Sequence, residues 1–129
     1  MQEVTRKWIE RAKYDLDTAE DMFTSGRYLY VAFMGQQAIE KILKGIIVEN
    51  GGEVLRTHNL VRLAESAGMY NEMADEDKDF LADLTPFAIE SRYGDYRNRL
   101  SEIIGRKMAR NYLDKTKEMY KWIKKRIKR

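Results

Sequence analysis

The chain reads as a succession of amphipathic helices. Ile9, Ala12, Leu16, Ala19 and Phe23 recur at intervals of three and four and make one apolar stripe, with Arg6, Lys7, Glu10, Arg11, Lys13, Asp17 and Asp21 on the other side. This spacing predicts a helix over residues 3–24, stopped by Gly26. The turn Ser25-Gly26-Arg27 is so short that the next helix must run back antiparallel. Over residues 28–50, Leu29, Ala32, Phe33, Ala38, Ile39, Ile42, Leu43, Ile46 and Ile47 cover more than one face, which predicts a largely buried central helix. Gly35 and Gly45 lie inside it, each at up to ~1 kcal/mol against Ala, so a close helix–helix approach is expected there.

Beyond the stop at Asn50-Gly51-Gly52 the pattern predicts a short helix over residues 58–67, with Thr57 or Asn59 as its cap and Gly68 as its end. A further helix begins at the acidic turn Asp75-Glu76-Asp77 and carries Phe80, Leu81, Leu84, Phe87 and Ala88 towards Tyr93. Pro86 should bend it or split it near Leu84. Gly94 marks a break, the stretch that follows reads as a loop, and a closing helix is expected over residues 102–127, with Ile104, Met108, Tyr112, Met119, Tyr120, Ile123 and Ile127 as its stripe. No strand-like alternation persists and no repeat or linker is visible. The expected architecture is all-α: one domain over residues 1–129, an up-and-down antiparallel bundle of four to five helices.

Composition narrows the chemistry. The absence of Cys excludes disulfides and thiolate catalysis. With one His, a metal site of the usual His and Cys ligands is not expected. No signal peptide is visible at the start and no apolar run approaches bilayer-spanning length, so a cytoplasmic protein that does not cross a membrane is expected. The net charge of +3 hides an asymmetry: residues 106–129 hold eleven Lys or Arg against two acids, a charge of +9, and the rest of the chain holds thirteen cations against nineteen acids, a charge of −6. Such a tail can meet RNA or another acidic surface, or it can be the solvated face of a terminal helix.

Several motifs, in order, resemble those of the HEPN domain family (higher eukaryotes and prokaryotes nucleotide-binding). Trp8, Ala12, Asp15, Leu16 and Ala19 match an opening helix of the form W-x-x-x-A-x-x-D-L-x-x-A, and Gln36-Gln37-Ala38-Ile39-Glu40-Lys41-Ile42-Leu43-Lys44-Gly45 resembles its QQAxEKxLKA helix. Thr57-His58-Asn59-Leu60 and Ser91-Arg92-Tyr93-Gly94-Asp95 resemble its T-H-D/N-L and A-R-Y-P-D segments, with Gly94 where Pro is usual and Gly45 where Ala is usual. The resemblance implies a helical bundle, often dimeric, often encoded beside a small nucleotidyltransferase, in some cases as a toxin–antitoxin-like pair. Members that are toxin-like ribonucleases carry an Arg and a His separated by four to six residues. Here that Arg would fall at Gly51, Gly52 or Glu53, and Arg56 is too close to His58. The resemblance therefore points to the branch that binds a nucleotide or a partner, with a non-catalytic role expected and no cofactor beyond a ligand such as ATP or another nucleotide.

Charged residues in the most apolar helix need a reason, because buried charge is costly unless paired or used. Glu40 and Lys44 are four apart, in the favourable order for an ion pair. Gln37, Lys41 and Lys44 follow one another down a neighbouring face. With Arg92 and Tyr93 at the end of the fourth helix they make the nucleotide-binding set the resemblance implies: lysines on phosphate, Gln37 on a polar edge, Glu40 orienting a base or holding Arg92. The same residues equally suit a polar network that fixes packing. His58, Tyr96, Arg97 and Arg99 form a secondary set. His58 is expected to hydrogen-bond locally and tether the third helix. The cations and Tyr96 have the composition of a phosphate or nucleic-acid contact loop. Two further readings stay open: a divergent, metal-independent dimeric ribonuclease using Arg97, Arg99 or His58, and a pure protein–protein module whose apolar helices are covered in a homodimer.

Overall fold

The computed structural model describes residues 1–88 and 94–127, with residues 94–97 and 100 described by their backbone alone. Two long helices open the chain, α1 (Glu3–Thr24) and α2 (Tyr28–Glu49). A short helix α3 (Leu60–Ser66) and α4 (Asp75–Leu84) follow, with 3-10 turns at Tyr70–Glu72 and Thr85–Ala88. Helices α5 (Gly94–Ile103) and α6 (Arg106–Ile127) complete the described fold. No strand occurs among the described residues, and no helix among them is long and apolar enough to cross a membrane.

The reversal between α1 and α2 is a Schellman turn: Gly26 N–H bonds Phe23 C=O at 3.1 Å and Arg27 N–H bonds Met22 C=O at 2.8 Å, with Gly26 at φ +80°. That left-handed conformation costs Gly nothing and costs other residues roughly 1 kcal/mol or more. The chain therefore leaves α1 already pointed back along it, and α2 lies between α1 and α6, with α3 and the second 3-10 turn also against it. Ile39, Ile42, Leu43 and Ile47 of α2 are buried together with Leu60, Leu63, Leu81, Leu84 and Ile123 in one core.

Both glycines inside α2 mark close approaches. A Cβ on Gly35 would stand 3.0 Å from Thr116 Oγ1 of α6, and one on Gly45 would stand 3.0 Å from Trp8 Cβ of α1. The helix gives up propensity at these positions and gains proximity to its two long neighbours.

Helix α3 starts two residues later than its spacing predicts, because Thr57 and Asn59 are spent on the entry. Asn59 Oδ1 accepts from Arg62 N–H at 3.2 Å as the cap, and Thr57 Oγ1 accepts from Asn59 N–H at 3.1 Å. Thr85 joins this start to the end of α4: its hydroxyl accepts from Leu60 N–H at 3.1 Å and donates to Leu81 C=O at 2.8 Å. Pro86 has no N–H to continue the α ladder, and α4 gives way to the 3-10 turn at Thr85.

One expected element differs. The stretch after Gly94, expected as a loop, is helix α5, and the closing helix begins at Arg106 rather than near residue 102. A polar helix has too few apolar positions for its period to show, although Asp95 in its first turn suits the helix dipole. Ile104 is buried at the corner, and Gly105 C=O receives Ala109 N–H at 3.0 Å, so Gly105 opens α6.

Candidate functional site

The polar residues of α2 form a connected cluster around Glu40. The residue is 5% exposed, yet both carboxylate oxygens are occupied. Lys44, one turn on and 9% exposed, donates to Oε2 at 2.8 Å. Gln36, one turn back, donates to Oε1 at 3.1 Å, and His58 Nδ1 donates to the same oxygen at 2.8 Å. The Gln36 amide also donates to His58 C=O at 3.0 Å, and its own oxygen accepts from Gln37 at 2.8 Å. Burial alone would push the Glu40 carboxyl up, but the bonds from Lys44, His58 and Gln36 outweigh it and hold the group below the usual carboxylate range.

A second ion pair ties α1 to α2. Lys41 bonds Asp15, which lies 6% exposed on the inner side of α1. Asp15 sits in the apolar stripe, between Ala12 and Ala19 at the same three- and four-residue spacing. A carboxylate there was visible in the sequence as a misfit that needed a cation. Gln36 was visible too, one turn before Glu40, but its contact to the His58 backbone was not. Trp8 completes the cluster: its ring lies 6.0 Å from Lys44 Nζ, over the gap that Gly45 leaves.

Glu40 pairs with Lys44 as the four-residue spacing predicts. Gln37 and Lys41 are half-buried on the same stretch of helix, and Lys41 is already compensated by Asp15. His58 does tether the start of α3, but across eighteen residues to α2 rather than by a local bond, and its side chain stays 43% exposed. Arg92 and Tyr93 lie outside the described residues, as do the side chains of Tyr96 and Arg97. Arg99 is exposed on α5. The basic face of α6 is partly compensated by acids: Lys117 bonds Glu20, Lys115 lies 3.6 Å from both Glu76 and Asp77, and Arg126 lies 3.5 Å from Glu72.

These features define a helical-bundle domain whose central helix is joined to its neighbours by charge-assisted bonds as well as by apolar packing. The model of the HEPN domain matches residues 5–127, and the chain belongs to that family. Among solved structures it is similar to TT1696 from Thermus thermophilus, with 23% identity over 96% of this chain and 98% of that one and a TM-score of 0.84. It is also similar to ST0689, an archaeal HEPN homologue, with 22% identity over 98% of this chain and 100% of that one and a TM-score of 0.75. At these identities the likeness is one of fold. No curated protein matches the chain.

Proposed function

We propose that this chain is a non-catalytic HEPN domain that binds a nucleotide and acts beside a small nucleotidyltransferase-type protein, as in a toxin–antitoxin-like pair. The observation that carries the reading is the fixed polar edge of α2. Gln37 is held by Gln36, Lys41 by Asp15 and the half-exposed His58 ring by Glu40, so three hydrogen-bonding groups reach the surface already oriented. Preorganised groups recognise a ligand's polar edge without the entropic cost of ordering them. Because Lys41 and Lys44 are compensated within the fold, recognition here depends on hydrogen-bond geometry more than on net charge. Arg92 and Tyr93 complete the set by resemblance. Calorimetric titration with ATP should give binding that weakens at least about tenfold in Gln37→Ala and in Arg92→Ala, equivalent to roughly 1.4 kcal/mol. Unchanged binding in both variants removes the reading.

The Glu40–His58 bond also favours a second reading. An imidazole oriented by a carboxylate and open on its other side is what a general base requires. Cleavage of RNA by the purified chain, lost in His58→Ala, is the result this ribonuclease reading requires. A homodimer is expected under either reading, and a monomeric mass at micromolar concentration counts against it.

A further inference from the structure

At the opposite end of α2 from Lys44, beside the α1–α2 turn, the chain forms a cleft of about 560 Å³ that belongs to none of the polar network. Its walls are Glu20, Phe23 and Tyr28 on one side and Arg106, Arg110 and Lys117 of α6 on the other. Three cations thus face one carboxylate. Lys117 takes that carboxylate, Glu20, and so joins α6 to α1. The two arginines are one helical turn apart and point at the same ring: their guanidinium carbons lie 5.3 Å and 5.4 Å from the centroid of Phe23. Arg110 has a loose contact with Asp114 at 3.4 Å, and among the described residues no carboxylate pairs with Arg106. Two like charges gathered around one aromatic ring, with planar forks still open to solvent, are arranged for a multiply charged anion between them. Phe23 and Tyr28 stand beside them with ring centroids 5.9 Å apart, an apolar wall on which a base can rest.

We infer that this cleft binds the phosphate moiety of a nucleotide, free or at the end of an RNA strand. The site is separate from the polar edge of α2. Tyr28 and Gln37 are nine residues apart on one helix, which is about 14 Å of rise. The phosphates sit on Arg106 and Arg110, Lys117 stays paired with Glu20 at the rim, and the base lies against Tyr28. Arginine suits this position better than lysine because its fork engages two phosphate oxygens at once.

The test uses the whole chain. Tripolyphosphate, ATP and a 5′-phosphorylated oligoribonucleotide are titrated calorimetrically into the unaltered protein, Arg106→Gln/Arg110→Gln and Gln37→Ala. Expected is binding of tripolyphosphate that the double arginine variant weakens roughly tenfold or more and that Gln37→Ala leaves unchanged. Whichever of ATP and the oligoribonucleotide binds more tightly, with the same arginine dependence, identifies the source of the phosphate. An amide NMR titration of the unaltered chain covers the case of a variant that does not fold: tripolyphosphate must shift Phe23, Gly26, Tyr28 and the first turn of α6. Tripolyphosphate that fails to bind, or that binds equally to the double variant, overturns the inference. ATP binding lost in Gln37→Ala, together with tripolyphosphate binding that the double arginine variant leaves unchanged, would leave the proposed function standing and this site refuted.

Discussion

Replacing Lys44 by Met tests whether the Glu40 cluster holds the bundle together. Methionine keeps the length and most of the apolar stem beside Trp8 but removes the ammonium that sits 2.8 Å from Glu40 Oε2. The side chain left behind is 7% exposed and cannot recover its water. Breaking a buried pair from one side typically costs 3–5 kcal/mol. Gln36 and His58 still donate to Oε1, so the lower end applies, about 3 kcal/mol, or a fall in melting temperature of roughly 10 °C for a domain of this size. The cost should depend on pH with a definite sign. Without Lys44, the burial that opposes ionisation loses the strongest of the bonds working against it, and the folded-state pKa of Glu40 rises. Acid then neutralises the stranded carboxylate, and the deficit against the unaltered protein shrinks as pH falls from 7 through the ordinary glutamate value of about 4.3. Urea unfolding followed by circular dichroism over this range measures this. The double variant Glu40→Gln/Lys44→Met, which buries no charge, should be more stable than the sum of the two single changes by over about 1 kcal/mol. A Lys44→Met cost below about 1 kcal/mol, or a deficit that does not change with pH, would show that the cluster is solvated and contributes no more than a surface pair.

In the unaltered protein Glu40 has a depressed folded-state pKa, so its contribution is complete above the ordinary glutamate value of about 4.3 and is lost as pH falls through the folded value. The melting temperature should fall less steeply below about pH 4.3 in Glu40→Gln than in the parent, and identical slopes in the two proteins would refute this. Gly45→Ala should destabilise by about 1–2 kcal/mol despite better helix propensity, because the new methyl meets Trp8 Cβ at 3.0 Å, and a raised melting temperature would show that Trp8 yields freely. Asn59→Ala removes the cap that accepts Arg62 N–H and should cost about 1 kcal/mol in chemical denaturation, with no change expected in the slope against denaturant.

Much of this protein is determined by its amino-acid sequence alone. The helical period marks α1, α2 and the body of α6, Gly26 and the Gly51-Gly52 pair mark the stops, and Pro86 marks the end of α4. These signals are local: a stripe, a cap or a missing N–H acts within one or two turns of its own position. The Glu40–Lys44 pair was legible for the same reason, since residues four apart on a helix always face one another. Helix α5 was not, because a polar helix carries no stripe to read. Only the tertiary structure decided that Lys41 answers Asp15 across two helices, that the imidazole of His58 reaches Glu40 from the far side of a loop, and that Arg106 and Arg110 meet over Phe23. Each of these depends on how antiparallel helices are aligned end to end. That alignment is set by the shape of the whole core, and by the two places where Gly35 and Gly45 let helices touch, rather than by any single stretch of residues.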